Sequence, residues 1–300
     1  MNVSMQSIAA LPPEQLRTLL PPFLAASIEG DPESAKKAQE SVRALLSETD
    51  DGAIQRTLKT WSTLGEQGYK SYSALPLMRE LSRSWMQHML TPGTVEGAEH
   101  LASVRGQNQL WVCNHRSYID TQATDALLSQ AGLDYLADDM LVVAGPKVYS
   151  AAFRRIAAAG LNTLLVAQST QIGHNQAELT PRQVAEIAIN TLKLSQAWRS
   201  ERGPVLLYPE GTRTRSGRLG PFLRASARYA RHAEVIVPMA IVGSDKLFGL
   251  DEKMRPCPVT LRIGQPFAPP KGKTAWLEQA HAAVAALLPP ENQPEGGVLI

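Results

Sequence analysis

The sequence predicts an α/β protein: a mixed, largely parallel sheet flanked by helices and preceded by a small N-terminal helical bundle. Three observations carry that prediction. From about residue 93 onward, short continuous apolar runs alternate with helical segments, the pattern of strands covered on both faces. Before residue 90 the apolar residues recur instead at intervals of three and four, the helical period. The 300 residues are 44% hydrophobic and 19% charged, an ordinary globular balance with enough apolar mass for one large core and an appendage.

The helical portion reads in order. "PPEQLRTLLPPFLAASIEG" starts with prolines suited to a first turn and stops near Gly30, and its second pair, Pro21-Pro22, predicts an interruption. "DPESAKKAQESVRALLSETD" opens on Asp31 as N-cap with Pro32 at the first helical position. "DGAIQRTLKTWSTLGEQGYKSY" places Ile54, Leu58, Trp61 and Leu64 on one face. "ALPLMRELSRSWMQHML" does the same with Leu77, Leu81, Trp85 and Met89. Packed as a bundle, these stripes form a core. A second reading, in which the last helix lies on a lipid surface through its stripe, stays open. "TPGTVEG", Thr91 to Gly97, reads as a break. It divides an N-terminal helical domain, 1–92, from an α/β domain, 93–290.

Within the second domain the predicted strands are "QLWVCN", "DMLVVAG", "LNTLLVA", "PVLLYPE", "VIVPMAIVG" and "VTLRIGQPF". Helices are predicted near 120–131, 148–158, 181–201, 219–232 and 274–288. "PPENQPEGGVLI" is a poorly specified end, and 291–300 is predicted to be a flexible tail.

Bulk properties exclude several function classes. A formal net charge of +2 argues against a nucleic-acid partner. Cys113 and Cys257 stand far apart, outside any metal-ligand spacing, and suit a reducing compartment. No run approaches the roughly 18–20 apolar residues that span a bilayer. The N-terminus lacks the layout of a signal peptide. The expectation is a cytoplasmic protein, at most a peripheral visitor to the inner face of the cell membrane.

Two strand ends carry the chemistry, where open α/β sheets place their sites. The first is "QLWVCNHRSYIDTQATDALL", with His115 just past a strand and Asp120 at a helix start. A carboxylate on one imidazole nitrogen leaves the other free to take a proton from a hydroxyl. Alone, this spacing more often joins a loop histidine to an N-capping aspartate. Asn114 can fix the loop backbone, and Ser117 or Asp120 can cap the helix. Cys113 is a rival nucleophile only if it leaves the apolar strand that contains it.

The second end is "LLYPEGTRTRSGRLGPF", with Glu210, Gly211 and Thr212 leading into Arg213, Arg215 and Arg218. Guanidinium forks on such a loop suit a phosphate monoester. It lacks the spacing of a Walker loop. A third stretch, "VVAGPKVYSAAFRRIAAAGLNTLLVAQS", places Lys147 after a strand and Arg154 and Arg155 on a short helix.

Taken together, these stretches resemble the glycerolipid acyltransferases, the PlsC-like group that acylates glycerol 3-phosphate and its lysophosphatidate product. "LWVCNHRSYID", "GPKVYSAAFRRIAAAGLNTLLV", "YPEGTRTRSG", "VIVPMAIVG" and "RIGQPF" follow the order of the family's blocks over about 95–268. The architecture is also similar to the soluble plastid-type glycerol-3-phosphate acyltransferases, which pair a helical domain with this core. The resemblance implies His115 as general base, Asp120 as its orienting carboxylate, and a substrate pocket that draws on Asn114, Ser117, Lys147, Glu210, Gly211, Thr212, Arg213 and Arg215. It implies acyl-CoA or acyl carrier protein as donor and glycerol 3-phosphate or a lysophospholipid as acceptor. No metal or prosthetic group is implied, since the thioester is a substrate. One departure bears on the acceptor: "AQST", Ala167 to Thr170, stands where both branches carry basic residues. An acceptor without phosphate, or a lipid-binding homologue without chemistry, stays open beside the leading reading. A groove between the helical portion and the α/β core is where an acyl chain would lie.

Overall fold

A strand that is apolar at every position must be covered on both faces, its alternate side chains entering two different cores. The computed structural model, which describes residues 8, 10–150, 152–167, 179–249, 253–294 and 296–300, is built this way. Its sheet holds β1 Ser71–Tyr72, β2 Leu90–Glu96, β3 Gln109–Cys113, β4 Leu141–Ala144, β5 Asn162–Leu165, β6 Val205–Leu207, β7 Val235–Val242 and β8 Cys257–Ile263. Their order across the sheet is β1-β5-β4-β6-β3-β7-β8-β2. From β5 to β7 neighbouring strands are parallel, β8 and β1 join antiparallel, and β2 pairs parallel with β8.

The helices are α1 Pro13–Ala25, α2 Pro32–Glu48, α3 Asp51–Ser62, α4 Pro76–Met86, α5 Ala98–Ser103, α6 Asp120–Gln130, α7 Asp134–Asp139, α8 Ala152–Ala159, α9 Pro181–Glu201, α10 Ser244–Leu247 and α11 Ala275–Leu287. Trp111, Val237, Met239 and Ile241 enter the core closed by α1 to α4 and α6. Leu110, Val112, Ile236 and Ala240 enter the opposite core, under α9 and α11. The result is a three-layer sandwich, as the continuous apolar strands required.

Local signals set the helix starts. Asp31 accepts from the amides of Glu33 and Ser34, Asp50 accepts from Ala53, and Thr180 with Gln183 forms a capping box on α9. Four expectations need correction. Pro21 and Pro22 do not interrupt α1, because they fall in its last turns, where buried Pro21 and Leu24 hold the helix down. Thr91 to Gly97 is not a break: residues through Glu96 form β2, whose partner β8 lies far along the chain and whose mostly exposed surface gives no apolar signal. Of the helix expected over 219–232, only a 3₁₀ turn at Arg224–Ala230 forms. The C-terminal residues are docked: the amides of Phe222 and Arg224 donate to the carbonyls of Val298 and Ile300, and Ile300 N–H returns to Phe222.

The lipid-facing reading of α4 gives way for a similar reason, since Leu77, Met78, Leu81, Trp85 and Met86 are all buried in the core. No helix among the described residues is long and apolar enough to cross a membrane.

Connectivity prepares a crevice. From β3 the chain passes through α6 and α7 to β4, on the far side of β6, whereas β6 leads to β7, on the far side of β3. Adjacent strands that send their chains in opposite directions open a cleft at their carboxyl ends.

Helix α6 carries this cleft on its first turn and is fixed from the helical layer. Arg83 of α4 grips Asp125 through two bonds, Nε–Oδ2 at 2.8 Å and Nη2–Oδ1 at 2.9 Å, and also reaches Asp138 of α7 at 2.9 Å. Burial pushes the Asp125 carboxyl upward against the pull of Arg83. Removing the cation would strand a buried carboxylate, so Arg83→Ala should cost about 2–4 kcal/mol, discounted because Arg79 remains close. Urea denaturation reads this, and an unchanged midpoint would show that the pair holds nothing.

Candidate active site

β3 and β6 are in register, with Leu110 opposite Val205 and Val112 opposite Leu207. Continued past the strand ends, that register sets His115 beside Glu210. The His115 amide indeed donates to Glu210 Oε1 at 2.7 Å, and Gly220 N–H donates to Oε2 at 2.9 Å. Glu210 thus ties the histidine loop to the loop after β6. A further backbone bond, Thr214 N–H to His115 carbonyl at 2.9 Å, closes the same seam.

Asp120 is the first residue of α6, and its side chain turns back over the loop. Oδ2 accepts from His115 Nδ1 at 2.8 Å, from Arg116 N–H at 2.7 Å and from Ser117 N–H at 3.0 Å. Neither Asp120 nor Ser117 caps α6, whose N-cap position is Ile119. With Nδ1–H donated to a carboxylate, the imidazole keeps its lone pair on Nε2. The ring is stacked on Tyr208, centroids 4.6 Å apart, and retains 22% side-chain exposure. The ring thus has one face covered by Tyr208 and one open side.

The other sequence-predicted residues divide into frame and surface. Asn114 is buried and behaves as an extra strand residue: Oδ1 accepts from Ile241 N–H at 2.8 Å and Nδ2 donates to its carbonyl at 3.0 Å. Ser117 Oγ is buried and donates to the Phe248 carbonyl at 2.9 Å. Both side chains therefore hold the loop. Gly211 has φ +69°, and a Cβ there would lie 2.2 Å from Leu223 Cδ1, so the turn needs glycine. Arg213 lays its guanidinium 3.4 Å from the Tyr118 ring centroid. Thr212 and Arg215 are exposed, as is Lys147 on the 3₁₀ turn Pro146–Tyr149. Gln168, Ser169 and Thr170 lie outside the described residues.

Cys113 is buried, and desolvation together with nearby Asp120 pushes its thiol well above the ordinary range. That removes it as a rival nucleophile. Three residues carry roles that the sequence did not assign. Tyr208 supports the imidazole face. Tyr118 underlies Arg213. Buried Arg116 pairs with Asp245 through Nε–Oδ1 and Nη2–Oδ2, both 3.0 Å, and donates Nη1 to the Gly217 carbonyl at 2.8 Å. The sequence signal for Arg116, a charge inside a tight strand-to-helix turn, is indistinguishable from a surface residue without Asp245 in view.

An apolar hollow, or trough, lies between the start of α6 and the helical layer. Ile119 and Gln122 form one wall, Met78, Leu81 and Trp85 of α4 another, with Leu20 of α1 and Ile156 of α8 closing it around a cavity of about 30 Å³. A second hollow shares Leu20, Met78, Leu81 and Ile156 and continues toward Leu58 and Trp61.

Residues 93–242 match the model of the acyltransferase family. A 1-acyl-sn-glycerol-3-phosphate acyltransferase of Chlamydomonas reinhardtii is 34% identical over 95 residues, 31% of this chain and 29% of that protein. A protein of the same name from Cocos nucifera is 22% identical over 209 residues, 68% of this chain and 60% of that protein. The chain therefore spans less than two thirds of the length of either relative. The family match covers the whole frame from β3 through β7, with both strand ends in it. The chain belongs to the acyltransferase family.

Glu210 sets a pH signature for this frame. Burial, reinforced by Asp120, pushes its carboxyl from 4.5 up to about 7, against the two amides and Arg116. Between those values the native state holds a proton that the unfolded chain releases. The contribution of Glu210 is thus complete below about pH 4.5 and lost as the pH rises to about 7. Relative to Glu210→Gln, the wild type should lose on the order of 2–3 kcal/mol across that window in denaturation series. Parallel pH profiles for the two proteins would contradict this account.

Proposed function

We propose that the protein transfers a fatty acyl group from a thioester, acyl-CoA or acyl carrier protein, to a hydroxyl of glycerol 3-phosphate or a lysophospholipid. The carrying observation is the 2.8 Å bond from His115 Nδ1 to buried Asp120, set at the cleft between β3 and β6 with Arg213 on the adjoining loop. In this reading His115 Nε2 takes the proton of the acceptor hydroxyl while its oxygen attacks the thioester carbonyl carbon. Asp120 holds the tautomer and stabilises the imidazolium. The tetrahedral adduct then collapses, the C–S bond breaks, and the imidazolium returns its proton to the leaving thiolate. An ester and a free thiol result. The chemistry calls for no metal or prosthetic group.

Other features support the remaining parts. The charge of Arg213 suits an acceptor phosphate, and the names of the two relatives favour 1-acylglycerol 3-phosphate. The trough against Ile119 suits an acyl chain whose carboxyl end meets His115. A chain of this kind is handled by a protein working from the cytoplasm, in peripheral contact with a membrane that supplies or receives lipid. An acceptor without phosphate is the second reading, favoured by the absence of basic residues in "AQST".

Acceptor-dependent thiol release tests the reading. His115→Ala should lower it by at least about 100-fold with folding intact, as loss of a general base requires. Transfer that survives this change would remove the mechanism, and equal rates with phosphorylated and unphosphorylated acceptors would favour the second reading. Ile156→Trp should shift donor preference toward shorter chains by filling the trough, read from the product chain lengths formed from mixed donors. An unchanged product profile would place the chain elsewhere.

A further inference from the structure

Asp120 holds the imidazole of His115 by its edge, and Tyr208 covers one of its faces. The two rings are stacked, centroids 4.6 Å apart and planes inclined by 27°. Tyr208 is the first residue past β6, so the register that brings Glu210 to the His115 amide also delivers this ring to the imidazole. The phenol is buried, and its Oη lies 3.1 Å from Thr121 Oγ1. Thr121 follows Asp120 on the first turn of α6. That turn therefore grips the imidazole through a carboxylate and its aromatic cover through a hydroxyl.

The cover is uncharged. Burial, with Cys113 and Asp120 close by, pushes the Tyr208 hydroxyl well above its ordinary range, so it stays protonated. What it presents to His115 is the electron-rich face of a π-system. Such a face attracts a cation within about 6 Å of its centroid far more than it attracts a neutral ring. The stack thus strengthens as the imidazole gains a proton. An interaction that is stronger in the transition state than in the ground state raises kcat and leaves KM in place.

We propose that Tyr208 is a positioning residue for acyl transfer: its face aligns His115 and stabilises the imidazolium, and its bond to Thr121 fixes the plane of the ring. This rests on the acyltransferase reading above and deepens it. The proton still passes from the acceptor hydroxyl to His115 Nε2 and then to the leaving thiolate, and Tyr208 exchanges none.

Steady-state thiol release separates an aromatic face from apolar bulk. Tyr208→Leu, which fills space without a π-system, should lower kcat about tenfold, while KM for donor and for acceptor each move less than about twofold. Tyr208→Phe restores the face and lacks only the bond to Thr121. It should recover kcat to within about threefold of the wild type, and Thr121→Val should match it. Replacing Tyr208 by phenylalanines of increasing fluorination keeps the shape and weakens the face, so kcat should fall stepwise along that series even if Tyr208→Leu does not fold. Equal kcat in Tyr208→Leu and Tyr208→Phe overturns the proposal, as does a flat fluorinated series or a loss that falls on KM. If the wild type releases no thiol with any acceptor, the acyltransferase reading fails separately. Proton NMR then decides Tyr208. His115 ring protons shifted upfield in the wild type and in Tyr208→Phe, but not in Tyr208→Leu, support the stack, and unshifted wild-type protons overturn it.

Discussion

One oxygen organises the loop on which the site depends. Asp120 Oδ2 collects the imidazole Nδ1–H and the amides of Arg116 and Ser117, and so folds the segment between β3 and α6 into a closed ring. A fully buried carboxylate is costly unless donors surround it. Here three donors and the positive end of α6 share that cost, and the same bonds fix where His115 can point. Loop shape and imidazole orientation are one interaction. Any change that loosens one loosens the other.

A second carboxylate lies close by in a different role. Glu210 accepts from the amide of the residue that bears the imidazole, across the seam, and from the amide of Gly220 in its own loop. Its carboxyl is pushed upward by burial and by Asp120, which is the expected outcome when two acidic groups share a desolvated site. Asp120, the more richly hydrogen-bonded of the two, orients the imidazole. Glu210, with its two amides, secures the seam between the β3 and β6 loops. Arg116 reinforces that seam from behind through Asp245 and Gly217.

What could be read in the sequence follows from how far apart the partners lie. His115 and Asp120 are five residues apart, Glu210 to Arg213 are consecutive, and both groups end apolar runs, so period and spacing reveal them. Asn114, Ser117 and Arg116 find their partners more than 100 residues away, at Ile241, Phe248 and Asp245. Their types fit substrate contact as well as framework, and only the fold decides. The same limit hid β2, an exposed edge strand paired with β8, and the docked C-terminal segment bridged to Phe222. Helices α2 and α3, whose caps and stripes are local, were legible almost to their ends. Pro21 and Pro22 misled because a propensity for breaking helices weighs less near a terminus packed from below.

The helical layer is more than a cover for the sheet. It reaches α6 through the Arg83–Asp125 pair, and α6 with its N-cap position contributes Asp120 to the imidazole and Ile119 and Gln122 to the wall of the hollow. The trough and the dyad thus share one rigid helix, buried from Asp120 through Leu128. On the reading proposed above, an acyl chain that fills the trough presses on the same element that aims His115. Chain fit and base alignment are then mechanically linked without any moving part. α8 completes the enclosure from its two sides, Ile156 toward the trough and Arg154 toward Tyr118. On that same reading, one short helix stands between the apolar hollow that takes the acyl chain and the ring that carries the charged side chains.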